Sequence, residues 1–303
     1  MDGILPLWKE RGMTSHDCVF KLRKILHTKK VGHGGTLDPD VDGVLPICIG
    51  KGTKIIEYLQ DSGKTYVGEI TLGFSTTTED ASGEIVAQSV VETAPTLAEI
   101  DEIMEQMVGT ITQVPPMYSA VKVNGKRLYE YAREGLAVER PKRQAEIHYF
   151  KRTSEPVVKQ AGTLSWTFEV GCGKGTYVRT LAVDTGAKLG YQAHMSDLTR
   201  TGSAGFTANE CVTLQEVAEL MEKADHSFLL PIERSVTMFE RLDISDQQYQ
   251  IVRNGGFLAL DELEVTDESG MIALFYQERL ISIYAQHPTK QAFLKPVKVL
   301  RND

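Results

Sequence analysis

Residues 31–43 read VGHGGTLDPDVDG and bring three aspartates and a histidine close to a glycine pair. Gly34 and Gly35 open backbone conformations that other residues avoid. Pro39 fixes its own φ and pushes Asp38 towards an extended conformation. Asp38 is therefore the most rigidly aimed of the three carboxylates. The segment lacks the spacing of an EF-hand calcium loop, so a metal site is not indicated, and a plain turn is the alternative.

The composition of the 303-residue chain is that of an ordinary globular protein with one elaborated domain and a small appendage. No apolar run approaches the length that crosses a bilayer, and the first residues lack the pattern of a signal peptide. The four cysteines are widely spaced and fit neither a zinc site nor a dense disulfide framework. These features predict a cytoplasmic protein with buried thiols and no membrane partner.

The net charge of −8 is unevenly distributed. Residues 208–303 carry nine basic and sixteen acidic side chains, so the preceding part of the chain is nearly neutral. Within that part, residues 21–30 hold five basic residues and no acid, and residues 121–152 hold nine basic against four acidic residues. Two basic segments on a near-neutral body are compatible with an RNA backbone, although a solvated surface is the alternative for either one.

The periodicity of the sequence alternates between strands and helices. Residues 65–73 and 165–172 alternate as strands, and the Asn124–Gly125 turn in the basic segment suggests a hairpin. Helices are predicted over 14–27, with Thr14 or Ser15 as the cap, after the capping box at Thr96, and near 214–223 after a second capping box at Thr213. Beyond a boundary near residues 235–245, alternating segments predict a small β-rich C-terminal domain. Separate helices and strands of this kind indicate an α+β class.

Three further features outside the opening loop could carry chemistry. Tyr66 lies at the start of a predicted strand, where a half-exposed structural tyrosine is the alternative. Arg179 lies among apolar residues near the start of a helix and is costly to bury without a carboxylate partner. The basic segment also contains Tyr129 and Tyr131 and follows Tyr118, a composition suited to phosphates and stacked bases.

Together these segments resemble one family. The stretches GILPLWKERGMTSHDCVFKLRKIL, KKVGHGGTLDPDVDGVLPICIGKGTKI, KTYVGEITLG, PPMYSAVKVNGKRLYEYAREG and GTYVRTLAVDTGAKLG are similar, in this order, to the TruB family of tRNA pseudouridine-55 synthases. The similarity covers roughly residues 3–205, and the acidic tail resembles the small PUA-like domain of the bacterial enzymes. An ordered set of five motifs is far more specific than a single glycine pattern.

The resemblance implies a pseudouridine-synthase fold, with a mixed, largely antiparallel sheet and helices. It implies a catalytic domain over 1–240, with a basic RNA-binding insertion at about 113–152, and a PUA-like domain over 241–303. The implied reaction isomerises uridine 55 in the tRNA TΨC arm: the N1–C1′ bond breaks and a C5–C1′ bond forms after the base is flipped. The family uses no cofactor or metal, needs no obligatory protein partner and leads us to expect a monomer.

The resemblance also assigns roles to individual residues. Asp38 is the essential carboxylate, Arg179 pairs with it, and Tyr66 lies against the flipped base, where proton acceptance is a further role. The remaining assignments concern RNA binding: Tyr177 and Leu198 line the uracil pocket, His33 fills the gap left by the base, Asp80 is a polar residue near the site, and Lys64 lies beside Tyr66. Core packing is the alternative for Leu198.

The chain departs from the family pattern at two places. Glu10 follows Lys9 where the family usually has proline, and Asp40 and Asp42 stand where small residues are usual, close to the expected RNA path. Three alternative functions stay open: a guide-RNA-dependent relative, an RNA-binding or tRNA-folding protein without catalysis, and a glycoside hydrolase. The last would need a second carboxylate across the cleft.

Overall fold

The computed structural model describes residues 1–266 and 270–302. The α-helices of this part of the chain are α1 (Ser15–Ile25), α2 (Ile56–Asp61), α3 (Leu97–Glu105), α4 (Leu128–Arg133), α5 (Val178–Lys188), α6 (Leu214–Glu222) and α7 (Asp246–Val252). The strands are β1 (Gly3–Lys9), β2 (Val31–His33), β3 (Asp42–Ile49), β4 (Lys64–Leu72), β5 (Phe74–Thr76), β6 (Ile85–Gln88), β7 (Gly109–Gln113), β8 (Lys122–Val123), β9 (Lys126–Arg127), β10 (Arg143–Arg152), β11 (Leu164–Cys172), β12 (Ala193–Ser203), β13 (Phe206–Thr207), β14 (Glu240–Asp243), β15 (Leu258–Ala259), β16 (Ile272–Tyr276), β17 (Arg279–Gln286) and β18 (Phe293–Val299). No helix in residues 1–266 or 270–302 is long and apolar enough to span a bilayer.

A nine-stranded sheet forms the main body. Seven strands follow the order β1-β3-β12-β4-β11-β10-β7, while β2 pairs with β3 and β13 pairs with β12. The β3–β12 pair is parallel, and every other pair in this sheet is antiparallel. The prediction of a mixed, largely antiparallel sheet in an α+β fold is therefore confirmed.

Each of the three helices predicted from these signals begins after a threonine cap, and Thr14 rather than Ser15 caps the first. The side chains of Thr14, Thr96 and Thr213 each accept a hydrogen bond from the backbone N–H three residues later. The acidic side chain at that position accepts in return from the threonine N–H, which completes a capping box. Each cap contributes about 1 kcal/mol to the stability of its helix.

The basic insertion contains a tight hairpin between β8 and β9. Asn124 and Gly125 both have positive φ, 51° and 82°, which is the geometry of a two-residue turn of type I′. The following helix α4 carries Tyr129 and Tyr131, and Arg127 and Arg133 each pack over the ring of Tyr129. Aromatic rings and cations therefore alternate on this segment.

A second, five-stranded sheet closes the C-terminal region, with strand order β14-β16-β17-β18-β15. Its side chains Phe275 and Ile283 share one apolar cluster with Ile4 and Val44 of the main sheet. The buried Arg301 side chain donates to Glu233 Oε1 at 2.7 Å, which ties the chain end to the segment that precedes β14. The β-rich C-terminal region thus packs directly on the main body.

Candidate active site

A buried arginine and a loop aspartate meet at the centre of the main body. Arg179, in the first turn of α5, approaches Asp38 with an Nη2–Oδ2 distance of 2.9 Å. Its Nη1 donates to the carbonyl of Thr78 at 2.9 Å, and its Nη2 donates to the carbonyl of Tyr118 at 3.0 Å. Asp80 lies 3.7 Å from Nη1. These contacts hold the guanidinium in one orientation. Asp38 is the carboxylate partner that a buried arginine at this position was expected to need.

The electrostatic environment of Asp38 has opposing parts. Burial raises the pKa of this carboxyl above its ordinary value, Arg179 lowers it, and the negative charge of Asp80 raises it again. The net effect is a raised pKa, so the carboxylate is a stronger base than an exposed aspartate while it stays paired with a cation. The side chain is 45% exposed, because it faces an open cavity.

Residues near the start of the chain hold the loop that carries Asp38. Leu37 N–H donates to Ser15 Oγ at 2.9 Å, at the start of α1. The carbonyl of Pro39 accepts from Gly12 N–H at 2.9 Å and from Lys9 Nζ at 3.1 Å. Lys9 is fully buried, so its ammonium is available to the backbone of this loop rather than to solvent. The two residues that flank Asp38 are thus both anchored.

Arg200 also holds this loop, through hydrogen bonds to its backbone. This fully buried side chain, on β12, donates to the carbonyls of Val44, Thr36 and Gly35 at 2.7, 3.3 and 3.3 Å. Its backbone pairs with that of Tyr66 on β4. Arg200 therefore links the glycine loop, the central strands and a predicted site residue, and it was not identified from the sequence.

A cavity of about 540 Å³ opens beside Asp38 and Arg179. Its lining includes four further residues that the sequence assigned to the site: Lys64, Tyr66, Tyr177 and Leu198. A neighbouring cavity of about 570 Å³ shares Asp38 and Arg179 and also contacts Asp80. The two cavities flank the ion pair, so a ligand that fills the first one contacts the carboxylate, the guanidinium and two tyrosines.

Two cavity residues have strongly perturbed environments. Burial raises the pKa of Tyr66, with Arg200 partly offsetting it, so the phenol is neutral near pH 7. Burial lowers the pKa of Lys64 to about 8, and its Nζ donates to the carbonyls of Gln60 and Ser62 at 2.9 and 3.0 Å. Perturbed groups that converge on one cavity are typical of functional sites.

Tyr177 is positioned by a reciprocal hydrogen-bond pair. The side-chain amide of the buried Gln113 donates to the Tyr177 carbonyl at 3.1 Å and accepts from the Tyr177 N–H at 3.0 Å. Gln113 ends β7 at the base of the basic insertion. The position of Tyr177 in the cavity wall is thus coupled to the root of the insertion.

Asp80 occupies a tight polar turn next to the ion pair. Its Oδ1 accepts from Thr78 Oγ1 at 2.6 Å and from the backbone N–H and hydroxyl of Ser82 at 3.0 and 2.6 Å. The preceding residue, Glu79, has φ of 66°, accepts from Thr180 at 3.1 Å and lies 3.6 Å from Arg140. Glu79 and Arg140 extend the charged network and were not identified from the sequence.

Of the remaining residues that the sequence singled out, His33 and Asp42 lie outside the walls of both cavities, whereas Asp40 lines the second cavity. His33 is partly buried on β2, and among the described residues it lines neither of the two cavities. Burial lowers its pKa, which favours the neutral ring. Asp42 accepts from Thr199 at 2.6 Å and from Arg11 at 3.2 Å, so its charge is compensated, whereas Asp40 is exposed.

Comparisons with known proteins agree over the whole chain. Residues 23–178 match the family model described as "TruB family pseudouridylate synthase (N terminal domain)", and residues 179–237 match "tRNA pseudouridylate synthase B C-terminal domain". The chain is 55% identical to "tRNA pseudouridine synthase B" of Bacillus pumilus (strain SAFR-032), with 100% of this chain and 99% of the relative covered. It is 52% identical to the protein of the same name from Listeria monocytogenes (strain EGD-e), with 99% and 98% covered.

A solved structure shares the architecture. A chain in "Crystal Structure of a Cbf5-Nop10-Gar1 Complex" is 26% identical, with a TM-score of 0.76 over 99% of this chain and 85% of that chain. The fold, the matched models and the full-length relatives place the chain among the pseudouridylate synthases. Within that class, the chain belongs to the TruB family.

Proposed function

We propose that this protein isomerises uridine 55 in the T arm of tRNA to pseudouridine. The relatives' name, tRNA pseudouridine synthase B, supports tRNA as the substrate. The single observation that carries the chemistry is the Asp38–Arg179 pair, 2.9 Å apart at the wall of a cavity of about 540 Å³. A base that is stacked inside an RNA arm cannot enter this cavity and reach the carboxylate until it has left its stack, so we include base flipping in the proposal.

The proposed reaction is balanced within the substrate and solvent. The N1–C1′ bond breaks, the uracil turns over, a C5–C1′ bond forms, C5 loses its proton to a base and N1 gains one. Asp38 supplies the anionic group, either by attack at C1′ or by removal of the C2′ proton. Arg179 keeps that carboxylate ionised and aimed, because its two terminal nitrogens are already oriented by the carbonyls of Thr78 and Tyr118.

The other site residues have roles in holding the base. Tyr66 and Tyr177 offer aromatic faces, and Leu198 offers an apolar contact at the same cavity. The Tyr66 hydroxyl is our proposed acceptor for the C5 proton. Because the phenol is neutral, it passes its own proton to solvent as it takes the proton from C5. Lys64 contributes a donor at the cavity wall, while Asp80 sets the orientation of Arg179. His33, beside the cavity on β2, is proposed to fill the gap that the flipped base leaves.

We also propose that residues 1–240 are the catalytic unit, residues 113–152 an RNA-binding insertion and residues 241–303 a PUA-like unit. The main sheet supports the first, and the alternating cations and tyrosines of the insertion support the second. The start of β14 at Glu240 supports the third. The protein is expected to act without a guide RNA or protein partner.

Tritium release from a transcript tests the proposal. Purified protein is incubated with tRNA transcript labelled at uracil C5, and the Asp38→Asn variant and a transcript with cytidine at position 55 serve as controls. We expect release from the wild-type pair and none from either control. Wild-type protein that binds this tRNA without releasing tritium would leave an RNA-binding or tRNA-folding role in place of catalysis. Release from the position-55 control would move the target elsewhere.

A further inference from the structure

The first helix presents a basic surface that the proposed reaction does not use. We define the α1 surface as the five exposed residues Phe20, Lys21, Lys24, Lys29 and Lys30. No acidic residue occurs between positions 18 and 33. The surface therefore carries four positive charges on a chain whose net charge is −8. The one acid of α1, Asp17, lies in its first turn and interacts with Lys21, so Lys24, Lys29 and Lys30 have no acid in this segment beside them.

The α1 surface also contains an exposed aromatic ring. Phe20 is 54% exposed, although a phenyl ring on a helix of this kind normally turns towards the core. The ammonium of Lys24, one turn further along, lies 4.5 Å from the ring centroid. An exposed ring beside a cation matches the combination that holds nucleic acids, in which the ring stacks on a base and the cation contacts phosphate.

The position of α1 relates this surface to the cavity. Ser15, at the start of α1, accepts from Leu37 N–H, so the helix begins beside the loop of Asp38. The helix has eleven residues and is about 16 Å long. The loop of Asp38 lines the cavity, and so do Tyr118 and Tyr129 of the basic insertion. The α1 surface is thus on the helix that begins beside the loop of Asp38, and the cavity that this loop lines is also lined by residues of the insertion.

We propose that the α1 surface binds the backbone of the same tRNA that occupies the cavity, with an unpaired base or its ribose on Phe20 and phosphates on Lys24, Lys29 and Lys30. This inference rests on the proposed tRNA substrate and adds a second contact region to it. The occupant is RNA because positive charge, an exposed ring and proximity to the substrate cavity coincide.

Salt-dependent binding tests this assignment without depending on turnover. Dissociation constants for full-length tRNA transcript are measured over a range of KCl concentrations, in the Asp38→Asn background. The test variant combines Lys24→Gln, Lys29→Gln and Lys30→Gln. A matched control combines Lys188→Gln, Arg279→Gln and Lys290→Gln, which are exposed and remove the same charge. Each lost phosphate contact lowers the slope of log K against log salt by roughly 0.7 to 0.9.

We expect the test variant to lose about two units of slope and about ten-fold in affinity at moderate salt, while the control keeps the parental slope. An unchanged slope in the test variant, or an equal loss in the control, would overturn the assignment. A separate Phe20→Ala variant is expected to bind about five-fold more weakly with the slope unchanged. Unaltered affinity for that variant would overturn the stacking contact. Failure of tritium release would instead reject the proposed function, since binding is measured independently of it.

Discussion

Asp38 and Arg179 lie on different elements, 141 positions apart in sequence, and their side chains approach to 2.9 Å. The arginine is almost fully buried, and the aspartate faces the cavity. From this asymmetry we propose that the arginine orients the carboxylate rather than binding substrate phosphate. The predictions below follow from that relationship and from the groups that hold it in place.

Arg179→Ala is expected to reduce kcat by about 10³-fold with little change in tRNA affinity, because it removes the group that keeps Asp38 ionised and aimed. Single-turnover kinetics and filter binding separate the two effects. Arg140→Ala is the matched control in the same charged network. We expect it to reduce kcat less, because Arg140 lies 3.6 Å from Glu79 and does not pair with Asp38. A selective loss of affinity in Arg179→Ala would contradict this assignment.

Tyr66→Phe is expected to retain tRNA affinity and lose about 10²-fold in turnover, because the ring stays in the cavity and the proposed proton acceptor is removed. Tyr177→Phe provides the comparison, since it removes a hydroxyl from the same cavity without removing that acceptor. Single-turnover rates with saturating enzyme measure both. Equal rates for wild type and Tyr66→Phe would show that the ring contributes by packing alone.

The acid limb of the activity profile should depend on the neighbours of Asp38. Catalysis requires the ionised carboxylate, so activity falls as pH drops through the raised pKa of Asp38. Because Asp80 raises that pKa, Asp80→Asn is expected to move the acid limb of kcat/KM to lower pH. The amide oxygen can still accept from Thr78 and Ser82.

Asp40→Asn is the graded control for this pH experiment. Asp40 raises the pKa of Asp38 less than Asp80 does, so the shift should have the same sign and a smaller size. The measurement is kcat/KM across the acid range for the three proteins. A limb that stays in place in Asp80→Asn, or moves to higher pH, would contradict the electrostatic account.

The contribution of Lys64 should vanish in alkaline solution. Burial lowers its pKa to about 8, so the side chain is charged below that value and neutral above it. If its charge contacts RNA, tRNA affinity should fall as pH rises from 7 to 9. Lys64→Arg should remove this dependence, because the guanidinium stays charged throughout. An identical pH profile for wild type and Lys64→Arg would remove Lys64 from the RNA-binding role.

Arg200→Met is expected to lower the free energy of unfolding by about 3 kcal/mol. The substitution removes the guanidinium, and three backbone carbonyls then lose the hydrogen-bond donor that they have in the wild type. The exposed Arg279→Met should change it by less than about 0.5 kcal/mol. Urea unfolding measures both. If the stability of the two variants is equal, Arg200 is not the anchor of the Asp38 loop.

Local sequence signals predicted most of the elements around the site. The capping boxes at Thr96 and Thr213 give helix starts directly, because they depend only on residues three positions apart, and Thr14 is one of the two residues expected to cap the first helix. The alternating strand at β4 and the Asn124–Gly125 turn are equally local. The sequence also indicated that Arg179 needs a carboxylate, and the structure supplies Asp38 as that partner.

The anchors of the loop could not be read in this way. β12 has the sequence AHMSDLTRTGS, which is too polar to indicate a strand, although β12 lies between β3 and β4 in the sheet. Arg200 is buried because backbone carbonyls of a distant loop accept its hydrogen bonds, and that depends on strand order. The same applies to Lys9, whose ammonium reaches the Pro39 carbonyl thirty residues away. The one sequence signal that Lys9 is buried is its position at the end of an otherwise apolar strand.

The central claim is that Asp38, oriented by Arg179, converts one uridine of tRNA into pseudouridine. Its most direct test maps pseudouridine by chemical derivatisation and primer extension after unmodified transcript has been incubated with wild type or Asp38→Asn. We predict a stop that reports pseudouridine at position 55 with wild type and no stop with Asp38→Asn, although both proteins bind the transcript. Pseudouridine at position 55 after incubation with Asp38→Asn would contradict the claim.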